Sequence, residues 1–462
     1  MYLAVMSIAG ALGTTFRGGR ATAALLLLAL FAAMSATVGV SAQGTAVEAD
    51  APKRREIFPL QDRRSWSFEE EGGSVAIDNE FSGARVNACE RVGPLDYKIV
   101  SSPENLPINP SPWFAFRVTS AVEREITVRI VITASKSRPR PHVSRDGGPF
   151  ERVATKDWEG GEGAKECVLR VRVGPAPTIV ASNHLIGVAE IEAWTDMMAK
   201  RLSVEPREIG RSMAGRAIRA FEFGAADTRE VVVVIGRQHP PEVSGSVGLS
   251  RFIEAIAADT EIARAFRARF RILCVPLVNP DGVHEGNWRS TLDGIDANRD
   301  WGPFTQIETR VVRDAILAFA QVPGRKARLL LDFHATSKDI FYVPPEDAAL
   351  DPPNFAPRWL DAIARRFPDY AVESSAAHNV KEWTFKRWAF ETFAAPGITY
   401  ELGSATPHER IARIVTGAAE EAMRLLLESG VGARAGAEAG TGTAVQEGDG
   451  AERKAEPVPA RR

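Results

Sequence analysis

Three apolar runs, each ending in a residue with metal-binding or acid–base chemistry, constrain this chain more than any other feature. Val231-Val232-Val233-Val234-Ile235-Gly236 leads into His239-Pro240-Pro241-Glu242, Leu329-Leu330-Leu331-Asp332-Phe333 runs into His334, and Ile398-Thr399-Tyr400 runs into Glu401. Short apolar or β-branched runs read as buried strands. Open α/β sheets gather their sites at the carboxyl ends of such strands. The chain therefore has to fold so that three strands far apart in sequence each deliver one piece of chemistry.

A catalytic zinc site needs three N or O ligands and one position left open, and two histidines with one glutamate is a known set. His239, Glu242 and His334 fit it. Taken singly each piece is weak: His-x-x-Glu recurs by chance in a chain with seven histidines, His334 alone reads as a hydrogen-bonded strand end, Asn298-Arg299 as a surface dipeptide, and Glu401 as a solvated carboxylate. Their common order and their placement at strand ends carry the argument.

Between these runs stand Asn279-Pro280-Asp281-Gly282-Val283, Gly286-Asn287-Trp288-Arg289 and Gly294-Ile295-Asp296-Ala297-Asn298-Arg299. With the His-x-x-Glu and the later His and Glu, this series resembles the zinc carboxypeptidases of the funnelin type. It looks most like the cytosolic carboxypeptidase branch and its bacterial relatives, in which a Gly-Asn-aromatic-Arg string follows the Asn-Pro-Asp-Gly turn. The resemblance covers roughly residues 60 to 430 and implies one zinc ion on His239, Glu242 and His334. It also implies that Arg289 polarises the scissile carbonyl, that Asn298 and Arg299 hold the substrate's terminal carboxylate, and that Glu401 is the base. Elementary chemistry agrees with each role: a planar guanidinium matches a carboxylate, and a fixed cation stabilises an oxygen where charge develops. By the same resemblance Asp296 hydrogen-bonds a zinc histidine; a plain turn aspartate is the other reading of it.

Some positions depart from the family pattern. Pro241 stiffens the ligand loop, and Asp300 stands where pancreatic members have Asn. Those members also carry a mobile tyrosine ahead of the catalytic glutamate, whereas residues 376–395 contain none. In this family the pocket for the C-terminal side chain is lined by residues upstream of the glutamate, and the deglutamylating branch places a basic residue there. Lys386 is the best match within Lys381-Glu382-Trp383-Thr384-Phe385-Lys386-Arg387-Trp388. Lys381 and Arg387 stay open as alternatives, as does a basic helix facing solvent.

At 462 residues and 45% apolar content, the chain is long enough for more than one core. A net charge of -2 offers no basic footprint for nucleic acid. Residues 1–42 read as a signal peptide, with Arg17 and Arg20 ahead of the apolar stretch Ala21 to Val40 and small residues before Gln43. An uncleaved membrane anchor is the alternative. A linker is expected over 43–56. An antiparallel β-sandwich is expected over 57–177, from alternating runs such as Ile126-Thr127-Val128-Arg129-Ile130. The catalytic domain should span 178–430, an α/β fold whose mixed, mostly parallel sheet carries helices on both faces. Within it, Thr305 and Glu308 read as a capping box. A tail without apolar periodicity follows over 431–462. Cys89 and Cys167 both fall in the sandwich region and could pair in an oxidising compartment; Cys274 sits in an apolar strand.

The expectation is thus an exported zinc metallocarboxypeptidase, periplasmic or secreted, acting on peptide or protein C-termini, with a preference for acidic ones as the finer expectation. No nucleic acid is expected as a partner, and no stable membrane insertion once the signal is cleaved. The alternatives are a carboxypeptidase of cell-wall stem peptides, or a module that binds C-termini without cutting.

Overall fold

The computed structural model describes residues 56–57, 59–106, 108–109, 111–135, 140–160 and 163–429. The expected signal peptide (1–42), nearly all of the linker (43–56) and the tail (431–462) lie outside the described residues.

The N-terminal part is a two-sheet sandwich. One sheet runs in the order Glu151–Arg152, His142–Arg145, Thr178–Ala181, Ala115–Ser120, Val75–Asp78 and Ser65–Phe68; the other runs Trp158–Glu159, Glu166–Val173, Arg124–Ile132, Asp96–Ser101 and Ala88–Gly93. Alternation sets the two faces: along Arg124–Ile132 the side chains of Ile126, Val128, Ile130 and Ile132 are buried and the residues between them are not. The second sheet is not wholly antiparallel, because Asp96–Ser101 pairs in parallel with Arg124–Ile132. The chain passes through Ala115–Ser120 of the other sheet between them, and so returns in the same direction. Thr178–Ala181 still belongs to this sandwich, so its sheet continues past residue 177.

The larger sheet has eight strands in the order Arg207–Arg211, Ala217–Gly224, Phe270–Val275, Glu230–Gly236, Lys326–Thr336, Gly397–Gly403, Ile340–Tyr342 and Ser374–Ser375. Its central four strands are parallel, and antiparallel pairs flank them. One face packs on the helices Val243–Ile256, Phe355–Arg366 and His408–Glu428 through Phe252, Trp359 and Ile414. The other face packs on Ile307–Ala320 and Phe385–Phe393 through Phe319 and Trp388. Within the sheet His334 lies directly beside Glu401. That register puts two of the three chemical strand ends side by side.

Two local expectations are corrected. The helix Ile307–Ala320 starts after Gln306 without a capping box. The Asp300 carboxylate instead accepts hydrogen bonds from the backbone N–H of Thr305 and Gln306 and from both threonine hydroxyls, Thr305 and Thr309. Glu308 turns away and accepts from the backbone N–H of Met213. Cys89 and Cys167 form no disulfide with each other. They sit on strands separated by two others, Cys89 opposite Ile99, Ile99 beside Ile130, and Ile130 opposite Cys167. Three interstrand steps amount to about 14 Å, twice the reach of a disulfide.

Candidate metal centre and its cavity

The site begins where the strand Glu230–Gly236 ends. Arg237 takes φ 55°, a left-handed conformation that costs a non-glycine residue energy and needs external support. Support comes from its own buried guanidinium, which donates to the carbonyls of Pro240 (2.8 Å) and Ile186 (2.9 Å) and to Ser246 Oγ (2.9 Å). The loop so pinned presents His239 and Glu242. The helix that follows lies close against the strand of His334: a Cβ added at Gly245 would come within 2.8 Å of the His334 carbonyl. Glycine there lets the two ligand-bearing elements touch.

Three ligand atoms converge. Glu242 Oε1 lies 2.8 Å from His239 Nδ1 and Oε2 lies 2.8 Å from His334 Nδ1, with the two Nδ1 atoms 3.1 Å apart. The far nitrogens are held by carboxylates: His239 Nε2 is 2.8 Å from Asp296 Oδ1, and His334 Nε2 is 2.6 Å from Asp332 Oδ2. An ionised carboxylate only accepts, so each Nε2 donates to its aspartate, and the ring in its neutral form offers the Nδ1 lone pair to a metal. Two lone pairs facing each other beside a carboxylate call for a cation between them. Adjacent ligand atoms of a tetrahedral zinc with ~2.05 Å bonds stand about 3.3 Å apart, close to the spacing seen. The residues therefore fit one zinc ion, in line with the metal-capable group that His239, Glu242 and His334 form among the described residues.

Electrostatics around the ligands is strongly polarised. Burial by itself would depress His334, but the charges of Asp332 and Glu242 outweigh it and hold the imidazole well above its usual pKa. Burial likewise opposes ionisation of Glu242 and Asp296. His239 and His334 overcome it for Glu242, and Arg289 and His239 for Asp296, so both carboxylates lie well below the usual range. Asp296 also accepts from Arg289 Nε at 2.9 Å, and Arg289 Nη1 lies 3.6 Å from Glu242. Both readings of Asp296 hold: it is bonded to His239, and its Oδ1 also accepts from the backbone N–H of Asn298 at 2.8 Å, as a turn aspartate does.

Glu401 faces the same cavity, a space of about 230 Å³ that is also lined by Arg289, Asn298, Arg299, Tyr342 and Lys386. Its Oε2 is buried with no hydrogen-bond partner among the described residues. Burial first, and then the negative charge of Glu242, push its carboxyl up to about 8. Asn298 Oδ1 accepts from the backbone N–H of Phe385 at 2.9 Å, and its Nδ2 lies 3.3 Å from His334 Nε2. Arg299 Nη1 donates to the Asn298 carbonyl (2.7 Å), and its Nε stands 3.5 Å from Glu382. Lys386 is buried, and its ammonium donates to the carbonyls of Val343 (3.2 Å) and His378 (3.0 Å). No carboxylate among the described residues pairs with it, and burial lowers its pKa to about 8. Arg387 lies elsewhere, stacked over Trp383 and paired with Glu391.

Sequence reasoning gave no role to several residues of the site. Asp332 could have been found, since a residue two before His334 on a strand shares its face. Gln238 donates to Asp332 Oδ2 (2.6 Å) and accepts from Trp301 Nε1 (2.8 Å). Tyr342 enters through strand register alone, opposite Thr399, and no local motif marks it.

A second histidine cluster lies outside the cavity, at the seam between the sandwich and the larger sheet. His184 packs between His142 (ring centroids 4.6 Å) and His408 (4.1 Å). His142 Nδ1 is buried without a partner. Burial first, then neighbouring positive charge that includes Arg152, lowers His142 to about 3; burial and then His184 and Arg251 lower His408 to about 4.

Set beside known proteins, residues 191–406 match the family model described as zinc carboxypeptidase. Cytosolic carboxypeptidase 6 of Mus musculus is 22% identical over 301 residues, covering 59% of this chain and 55% of the relative. The Homo sapiens counterpart is 28% identical over 290 residues, covering 57% and 58%. The chain thus spans a little over half the length of these curated relatives. A metallo-carboxypeptidase from Burkholderia cenocepacia superposes with a TM-score of 0.64 at 19% identity, over 77% of this chain and 99% of that one. One from Pseudomonas aeruginosa, in complex with (2-guanidinoethylmercapto)succinic acid, gives 0.61 at 18% identity, over 76% and 99%. These superpositions show the fold. Over residues 191–406 the chain is thus similar to the zinc carboxypeptidase family.

Proposed function

We propose that this protein is an exported zinc-dependent metallocarboxypeptidase that hydrolyses the C-terminal peptide bond of peptides, with a preference for acidic C-terminal residues. The observation that carries the reading is Glu401: a buried carboxylate with an unpartnered oxygen, in register with a metal-ligating strand end and facing the same cavity. A zinc ion on His239, Glu242 and His334 supplies a Lewis acid that acidifies water and polarises a carbonyl. Glu401, as base, takes a proton from the attacking water and returns it to the leaving amine nitrogen. Arg289 faces the carbonyl oxygen as it gains charge. Arg299, with Asn298 beside it, receives the terminal carboxylate, which restricts cleavage to chain ends.

Lys386 supports the acidic preference. It is a buried ammonium facing the cavity and held only by main-chain carbonyls, so an incoming Asp or Glu side chain would supply the missing countercharge. The export reading rests on the character of residues 1–42. Among the described residues no helix is long and apolar enough to cross a membrane.

The test is mass-spectrometric cleavage of a mixed peptide library by the zinc-loaded protein. Wild type is expected to remove single C-terminal residues, Glu and Asp fastest, and Glu401→Gln to be slower by about 10²- to 10⁴-fold. Lys386→Met should cut the acidic preference by about 10- to 100-fold. Intact peptides with zinc bound would overturn the enzyme reading. An unchanged preference in Lys386→Met would overturn the pocket assignment alone.

A further inference from the structure

The loop that carries Arg289 is bound from the sandwich side. Glu104, which lies between two sandwich strands and is 7% exposed, accepts hydrogen bonds from three consecutive backbone N–H groups: Trp288 (2.7 Å), Arg289 (2.9 Å) and Ser290 (2.5 Å). Successive N–H groups turned to one side make an anion-binding concavity. Here the anion is a side chain of the neighbouring module. Its surroundings complete the fastening: Asn105 Oδ1 accepts from Ser290 Oγ (3.1 Å), the Trp113 carbonyl from Trp288 Nε1 (2.9 Å), and Asn287 Oδ1 from the buried Arg85 (3.4 Å). The Trp288 ring is fully buried within the sandwich's own apolar core. The next side chain along, Arg289, points the other way, to Asp296 and Glu242.

We propose that Glu104 is a positioning residue for catalysis, fixing the backbone of residues 288–290 so that the Arg289 guanidinium stands where the carbonyl oxygen gains charge. This rests on the carboxypeptidase reading of Arg289. Asp296 and Glu242 set the direction of the guanidinium, and Glu104 sets the point from which it extends. Neither set of contacts suffices alone, because a long side chain on a loose loop can keep its ion pair while its root moves. Glutamine at 104 keeps the size but places an N–H₂ against at least one of the three N–H donors, so the loop loses a partner and gains a repulsion. The sandwich is then part of the active site through its backbone contacts, beyond helping the catalytic part to fold.

The experiment is a double-mutant cycle on the full chain with Glu104→Gln, Arg289→Gln and the pair. Hydrogen–deuterium exchange at residues 286–291, zinc content and melting temperature accompany the kinetics. Glu104→Gln is expected to lower kcat by about 10- to 100-fold, the scale of an ångström-size misplacement, with KM changed less than about twofold, because the residues holding the terminal carboxylate are untouched. It should speed amide exchange at 288–290, keep one zinc ion, and add little to the loss already caused by Arg289→Gln. Glu104→Asp should restore part of kcat. Additive losses in the pair, or unchanged kcat despite faster exchange, would overturn the proposal. If Arg289→Gln by itself left kcat intact, the reading of Arg289 would be the one to fail. If Glu104→Gln did not fold, Glu104→Asp and the exchange rates would decide.

Discussion

Two histidine clusters in this protein have nearly the same ring spacing and opposite chemistry. His239 and His334 stand with centroids 4.7 Å apart, and His142, His184 and His408 stand at 4.6 and 4.1 Å. In the first cluster every far nitrogen meets an aspartate, which fixes the tautomer, turns the lone pairs together and raises His334. At the seam the charged groups acting on the rings are Arg152 and Arg251, and the rings are held neutral by burial. Proximity of imidazoles therefore does not make a metal site. The carboxylates behind them do.

The widest separation between the clusters should appear on titration with zinc. A thousandfold excess over Kd would stabilise the protein by about 4 kcal/mol, readable as a melting temperature that a chelator reverses. His334→Ala should abolish this response while His184→Ala keeps it, with one ion per chain. Two ions per chain, or metal lost in His184→Ala, would break the contrast. A smaller effect follows from removing a carboxylate while leaving the ligands in place. Asp332→Asn or Asp296→Asn should weaken zinc binding by about 10- to 100-fold, measured by competition with a chromophoric chelator, and unaltered affinity would mean that tautomer control is not what separates the clusters.

The smallest effect belongs to the seam. His142 and His408 have folded-state pKa values of about 3 and about 4, below the ~6.5 of an unfolded histidine. Between those values the unfolded chain binds more protons, so stability is complete above about pH 6.5 and is lost as pH falls toward 4. Discounting for the partial exposure of His184 and His408, the loss is on the order of 2 kcal/mol by pH 5. Denaturant melts of wild type and His142→Phe at pH 7.5 and 5 check it. Equal pH dependence in both proteins would remove the seam from the account.

Much of the centre was legible because its residues sit at strand ends that local pattern marks: His239, Glu242, His334 and Glu401 each follow an apolar run. Asn298, Arg299 and Lys386 were named only by resemblance, and all three line the cavity. What escaped depends on pairings that no local pattern encodes. Glu104 meets Arg289 across 185 positions, and Tyr342 reaches the cavity through register with Thr399. The capping of Ile307–Ala320 was misread for a related reason: Thr305 and Glu308 have the right spacing, but Asp300 binds the helix start through four contacts and displaces the local motif. The pairing of Cys89 with Cys167 was limited in the same way, since strand order decides which residues of a sheet are neighbours.

The burial of Trp288 in the sandwich core also has a temporal side. Its indole donates to the carbonyl of Trp113, 175 residues earlier in the chain, a contact whose loop-closure cost makes it slow to form. The sandwich leaves the ribosome first and can fold before the catalytic strands exist. The arginine loop then docks on a surface already in place. A newly made chain would therefore complete the sandwich before the loop that reaches the metal ligands is in place.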